Sequence, residues 1–221
     1  MIRALGGIAT IAGVIIVFVF QFTQPYIAEN KRRAIEKAIY QVVPGAVNRT
    51  SYLLNEQALM LETEFNESES SGSSTVSQVS TETIYAAFDA SGKLVGIAME
   101  AAAQGYQDVI RILYGYSPEC ECITGISILK STETPGLGDK IGTDLKFLAN
   151  FIALDAKLNQ EKTALLNPIE TVKHGRKTAD WQIDSISGAT VSSNAIGKML
   201  RESTKKMLPL LIKHLHKIIK S

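Results

Sequence analysis

From Ala4 to Thr23 the chain reads ALGGIATIAGVIIVFVFQFT, with no charge and with only Thr10, Gln21 and Thr23 distinctly polar. A helix rises about 1.5 Å per residue, so roughly 20 such residues cross the ~30 Å hydrocarbon core of a bilayer. The apolar region of a cleaved signal peptide is shorter, about 7–15 residues, and ends in a small-x-small site. Here the run is longer, and Tyr26-Ile27-Ala28 places a bulky residue where a small one is needed. Residues 1–25 are therefore expected to be an uncleaved single-pass transmembrane anchor rather than a signal peptide or the buried helix of a soluble core. Its orientation is open on charge alone. Arg3 lies on one side, and Lys31, Arg32, Arg33 and Lys37 lie on the other. That count favours a cytoplasmic C-terminal part, but long domains translocate largely regardless of flanking charge.

Composition removes several function classes. With 23 Lys+Arg against 22 Asp+Glu the formal charge is +1, so no global field favours nucleic acid. A hydrophobic content of 45% with 20% charged residues excludes disorder of the whole chain. Cys120 and Cys122 are the two cysteines, too few for a disulfide scaffold or a multi-thiolate zinc site. His174, His214 and His216 are too few for a histidine-rich centre, and no metal site is expected. Cys120-Glu121-Cys122 itself reads as free thiols, as a strained local disulfide, or as an iron–sulfur ligand pair shared with another subunit.

Beyond the anchor, Ala34, Ile35, Ala38, Ile39 and Val42 recur at helical spacing, and Pro44-Gly45 ends that helix. A helical connector is assigned to residues 26–61. Residues 62–83 are rich in Ser and Glu and are expected to form a flexible loop. The period then changes to two. Ile84–Phe88 and Leu94–Met99 flank Asp89-Ala90-Ser91-Gly92 as a hairpin, and Val109–Tyr114 and Ile123–Leu129 form a second pair. A short helix follows around Leu145–Ile152. A stripe from Ile196 through Met199, Leu200, Met207, Leu211 and Leu215 to Ile218 marks a long last helix. Pro209 is expected to kink or restart that helix, with His214 and His216 on its polar side. The order helix, strands, helices gives an α+β fold: a transmembrane helix, then an antiparallel sheet of hairpins packed by helices, with a long C-terminal helix.

Two segments carry candidate chemistry. Glu133-Thr134-Pro135-Gly136-Leu137-Gly138-Asp139-Lys140 combines a fixed φ with two permissive glycines, which suits close approach of a flat ligand to the main chain; an ordinary strand-to-helix turn is the plainer reading. Asp184-Ser185-Ile186-Ser187-Gly188-Ala189-Thr190 crowds small and hydroxyl residues before the last helix. A helix N-terminus seats phosphate readily, although simple N-capping explains the same residues. No Gly-Lys-Ser/Thr is present, so this is not a P-loop.

The order of anchor, hairpins, Glu-Thr-Pro-Gly-Leu-Gly and Asp-x-x-Ser-Gly-Ala-Thr resembles the FMN-binding domain of respiratory flavoproteins. It is most similar to the G subunits of Rnf electron-transport complexes and is related to the C subunit of the sodium-pumping NADH:quinone reductase. The resemblance covers the anchor and most of Ile84 to Leu200, which assigns residues 84–221 to an FMN-binding domain. It implies FMN joined by a phosphoester to Thr190, with Asp184, Ser187, Gly188 and Ala189 matching the stretch read by a flavin transferase. It implies a flavin contact for the loop Glu133, Thr134, Pro135, Gly136, Leu137 and Gly138, and it includes Gly105-Tyr106. Of the nearby hydroxyls, Ser192 and Ser193 are expected inside the helix and Ser187 as a cap or transferase contact; the signature selects Thr190.

The resemblance further implies an electron-relaying subunit with no acid–base residue of its own. It would act in a bacterial inner-membrane complex with other membrane subunits, coupling ferredoxin/NAD electron transfer to Na⁺ or H⁺ movement, with the domain on the periplasmic side. The quinone-reductase C subunit and a non-redox membrane-anchored binding module are the competing readings. Trp181 packs either on the flavin or in the core. Cys120-Glu121-Cys122 and the Ser/Glu-rich loop are departures from the family pattern.

Overall fold

The computed structural model describes residues 2–55, 58–61 and 81–219. Helix α1 spans Ile2–Val42 with Pro25 inside it, so the anchor and the connector helix are one element, with no break at residue 25. By contacts the chain divides into two units, 1–37 and 38–221.

In the first unit the helix is long and apolar enough to cross a membrane, with a mean hydropathy of 1.8 and none of the apolar window buried. Val14, Ile16, Phe18, Phe20 and Phe22 all stand exposed. Glu29 accepts from Arg33 at 2.9 Å and pairs with Arg32 at 3.2 Å, as expected of i,i+3 and i,i+4 neighbours.

The second unit holds a seven-stranded sheet, order β2-β1-β3-β4-β5-β6-β7, with every pairing antiparallel. The strands are β1 (Asn48–Leu54), β2 (Leu59–Leu61), β3 (Glu82–Phe88), β4 (Leu94–Gln104), β5 (Val109–Ser117), β6 (Cys122–Lys130) and β7 (Leu154–Asp155). Both expected hairpins are present. Asp89 Oδ1 builds the β3–β4 turn by accepting from the Ser91 and Lys93 amides and the Ser91 hydroxyl. The assignment of 26–61 to a helical connector is corrected: the helix stops at Val42, and β1 and β2 belong to the main sheet. Within 62–83, residues 62–80 lie outside the described residues, whereas Glu82 and Thr83 already pair in β3.

Helix α2 (Leu145–Leu148) continues into a 3-10 turn over Ala149–Phe151. Strands β8 (Glu170–Val172) and β9 (Gln182–Asp184) form a small parallel pair. Helix α3 spans Thr190–Ile219 and runs on through Pro209 without restarting. Its apolar stripe, with Ile196, Met199, Leu200, Met207 and Leu211 all buried, joins Ile97, Met99, Ile110, Ile112 and Tyr114 in one core. The Tyr114 hydroxyl reaches Ser203 Oγ at 2.8 Å. Burial pushes the Tyr114 phenol up, with that hydrogen bond opposing. Burial, reinforced by the Glu121 charge, pushes Tyr116 up to about 12, so both phenols stay neutral in the core.

The opposite face of the sheet receives Ala38, Ile39, Val42 and Val43, all buried. Tyr114 faces α3, so Gly115 must face the other way. A Cβ at Gly115 would strike the Val42 carbonyl oxygen, which instead accepts the Thr124 hydroxyl. The chain enters this sheet where the Val47 amide donates to the Phe88 carbonyl at 2.7 Å. Thirty residues of helix carry α3 about 45 Å, from the opposite end of the sheet back to that entry end, where Leu215 and Ile219 line one cavity with Phe88 and Leu94.

His214 is a correction: it is 6% exposed, not on the polar face, and its Nε2 has no hydrogen-bond partner among the described residues. Burial, then the charges of Lys217, Lys213 and His216, hold its imidazole below the ordinary range.

Candidate functional site

The site begins with Glu133, a carboxylate only 6% exposed just beyond the end of β6. Its Oε1 accepts from the Tyr106 amide at 2.9 Å and the Gln107 amide at 3.1 Å, in the β4–β5 turn. Its Oε2 accepts the Ser192 hydroxyl from the first turn of α3. Gln107 Nε2 also donates to Thr134 Oγ1 at 2.7 Å. One side chain thus ties a hairpin turn, a loop and a helix start. Two glycines make room for it. A Cβ at Gly105 would lie 2.5 Å from Glu133 Oε1, and a Cβ at Gly138 would collide with Oε2 and lie 2.8 Å from Ser192 Oγ. Gly138 is therefore glycine because a carboxylate packs on it; no approaching ligand is needed to explain it.

These segments line a half-open cavity of about 340 Å³. Thr134, Leu137 and Gly138 line one side, and Gly188, Ala189 and Thr190 line the other, with Tyr106 at the hairpin turn. The two segments singled out from sequence, more than 40 residues apart, thus face one space. Tyr106, Leu137 and Val191 stand 71%, 53% and 52% exposed, an apolar rim suited to a flat aromatic group. Pro135 and Gly136 do not line the cavity; Gly136, at φ +78°, makes the turn that returns the loop to Leu137.

Burial sorts the five candidate hydroxyls. Ser185, Ser192 and Ser193 are 3%, 2% and 0% exposed. Ser192 is committed to Glu133, and Ser193 donates to the Ala189 carbonyl and accepts from the Ile186 amide. Ser187 and Thr190 are exposed. Gly188, at φ +83°, turns the chain between them. Thr190 thereby opens into the Glu133-side cavity at the first residue of α3, while Ser187 and Asp184 border a second cavity of about 310 Å³.

That second cavity is bounded further by Lys140, Lys146, His174 and Asn150. Asp184 Oδ1 accepts from the Gly175 amide at 2.7 Å, and His174 Nδ1 lies 3.6 Å from Oδ2 and 2.9 Å from the Ser185 carbonyl. Asn150, 7% exposed, accepts from the Asp184 amide at 3.0 Å and donates to the Asp184 and Phe147 carbonyls. Sequence reading missed Asn150, which carries no local motif, and Val191, whose place follows from adjacency to Thr190. Trp181 lines neither cavity. Cys120 and Cys122 form a disulfide in the β5–β6 turn, at the far end of the sheet, which removes the free-thiol and ligand-pair readings.

A hydroxyl open to solvent at the start of a long helix, beside a cavity with an apolar rim, is an arrangement that suits a phosphate-bearing aromatic cofactor. Residues 105–205 match the family model of the FMN-binding domain, and both cavity-forming segments fall within that span. The chain is similar to the G subunits of ion-translocating oxidoreductase complexes. It is 38% identical over 112 residues to that subunit of Methanosarcina acetivorans, covering 51% of each chain. It is 31% identical over 114 residues to the Aliivibrio fischeri subunit, covering 51% of this chain and 49% of that one. With the G subunit of the Na⁺-translocating ferredoxin:NAD⁺ oxidoreductase complex of Acetobacterium woodii it shares 32% over 106 residues, 48% of this chain and 45% of that one. The chain spans about half the length of the curated relatives it matches.

In fold it is similar to Shewanella oneidensis NqrC, with a TM-score of 0.65 at 19% identity, covering 87% of this chain and all of that one. The C subunit of the Na⁺-translocating NADH-quinone reductase of Parabacteroides distasonis gives a TM-score of 0.57 at 18% identity, covering 87% and 96%. At these identities the likeness is one of fold.

Proposed function

We propose that this chain is a membrane-anchored electron-transfer subunit that carries FMN through a phosphoester to Thr190. It works within an ion-translocating oxidoreductase complex that moves electrons between ferredoxin and NAD. The observation that carries this reading is the placement of Thr190. Of the hydroxyls between residues 184 and 194, it is the exposed one that lines the cavity shared with the Thr134–Gly138 loop, inside the span matching the FMN-binding domain.

The protein's own part is binding and positioning. The first N–H groups of α3 lack helical partners and carry partial positive charge, which favours a phosphate there by about 0.3–1 kcal/mol at an exposed helix end. A covalent bond at Thr190 keeps the cofactor from dissociating and fixes one end of it. The rim of Tyr106, Leu137 and Val191 would offer apolar surface to its ring. When bound, FMN supplies the redox chemistry, accepting and passing on electrons. No side chain is required as acid or base.

Attachment needs a flavin transferase, and the Asp184–Ala189 stretch is what it reads. Partly buried Asp184 and exposed Ser187 border the neighbouring cavity, separated from Thr190 by the turn at Gly188. The domain is assigned to the outer face of the membrane. The Cys120–Cys122 disulfide supports that side, because disulfides persist in oxidising compartments. The test is fluorescence under ultraviolet light after denaturing electrophoresis. The chain co-produced with a flavin transferase should fluoresce and Thr190→Val should not. A dark wild-type band would contradict the proposal.

A further inference from the structure

Glu133 belongs to the loop that resembles a flavin contact, yet both of its carboxylate oxygens are already engaged. Oε1 takes two backbone N–H groups of the β4–β5 turn, and Oε2 takes the Ser192 hydroxyl of α3. All three donors are neutral, so these bonds hold the carboxylate in place without setting a cation against it. Gly105 and Gly138 flank it with no room for a Cβ. The residue borders the cavity while being 6% exposed. A buried side chain that joins three cavity-forming segments determines how those segments face each other.

We propose that Glu133 is the positioning residue of the cofactor cavity. Its carboxylate locks the Tyr106–Gln107 turn and the first turn of α3 onto the Thr134–Gly138 loop, and its charge makes electron addition to a flavin in that cavity less favourable. The inference rests on the FMN reading and goes beyond it in two ways. Geometrically, the bond to Ser192 holds the helix start, two residues from Thr190, in register with the loop. A displacement of about 1 Å at such a position lowers a transfer rate by up to roughly a hundredfold. Electrostatically, a negative charge on a side chain only 6% exposed is less screened by water than a surface charge, so it disfavours added electron density in the adjoining cavity more strongly. The reduction potential of the flavin is therefore lower than it would be beside a neutral residue.

Two substitutions separate these roles. In Glu133→Gln the amide oxygen still accepts from the two amides, and the Ser192 hydroxyl turns to accept from the amide nitrogen, so the clamp persists and the charge is gone. In Glu133→Ala both are lost. The full chain is produced with a flavin transferase, and three quantities are read: covalent FMN per chain by mass, the flavin midpoint potential, and circular dichroism of the domain. Glu133→Gln should keep the fold and the covalent FMN and shift the potential upward. Glu133→Ala should slow FMN attachment at least tenfold. An unchanged potential in Glu133→Gln, or wild-type attachment in Glu133→Ala, overturns the proposal. Should Glu133→Ala fail to fold, Ser192→Ala takes its place. It removes one strap and leaves the carboxylate, so attachment should slow several-fold, and wild-type attachment overturns the clamp. Absence of covalent FMN from the wild type, or its presence in Thr190→Val, defeats the cofactor reading itself. Attachment at Thr190 that is indifferent to Glu133 defeats this inference alone.

Discussion

The Ser192 hydroxyl donates to Oε2 of Glu133, joining the first turn of α3 to a loop 59 residues earlier in the chain. Around that bond the walls of the cavity are assembled, and much of what can be tested follows from how closely it is packed.

Gly105 and Gly138 leave the space that Glu133 fills. Alanine at either position presses a methyl group onto the carboxylate. Each variant should lose about 1–3 kcal/mol of stability, the usual cost of overpacking a buried site. Denaturant unfolding of the domain measures it. Gly136→Ala is the control: its Cβ meets open space, so its cost is confined to the left-handed backbone, about 1–2 kcal/mol. That variant should leave the Glu133 hydrogen bonds intact, as read from slow exchange of the Tyr106 and Gln107 amides.

Asn150 spans the Asp184 backbone, accepting from its amide and donating to its carbonyl. Asn150→Ala strands buried polar groups on both sides and should destabilise the domain by about 1–3 kcal/mol. It should also increase protease sensitivity between residues 175 and 190. An unaltered digestion pattern would show that the segment holds itself in place.

His214 is buried with its pKa below the ordinary imidazole value near 6.5. Its unfolded form binds a proton more readily than its folded form. The stability it contributes is therefore intact above about pH 6.5 and is lost as pH falls from there toward the folded value. Unfolding midpoints measured at pH 7.5 and 5.5 should differ, with the lower pH less stable. His214→Leu should remove part of that difference.

The disulfide joins residues two apart, with Cys120 exposed and Cys122 buried. So short a loop restricts the unfolded chain little, and Cys122→Ser should cost only about 1–2 kcal/mol. An impermeant thiol reagent should label Cys120, the exposed member of the pair, in intact spheroplasts after mild reduction. Labelling only after lysis would place the domain in the cytoplasm.

What could be read from sequence followed how local the signal was. Both hairpins were legible, because Asp89 and Gly92 supply turn chemistry between alternating runs, and α3 was legible from its stripe. Strand β1 was not. Asn48–Leu54 begins with polar residues and lacks a clean alternation, and its strand character comes from pairing with β2 on one side and β3 on the other. His214 was misplaced because its neighbours on the helix are charged, whereas its own position falls under the apolar stripe. The loop at Glu133 was visible as a motif, but its role was not, since its partners Tyr106, Gln107 and Ser192 lie 26 to 59 residues away. Asp184, Ser187 and Thr190 read as one signature. The left-handed residue Gly188 is what divides them between two cavities.

The attachment residue is the central claim, and peptide mass spectrometry tests it most directly. The mature protein, isolated with its cofactor and digested, should give a peptide containing residues 184–194 heavier by FMN less one water, with fragmentation placing that mass on Thr190. Mass on Ser187, the other exposed hydroxyl of the segment, or an unmodified peptide from fully matured protein, would contradict the account.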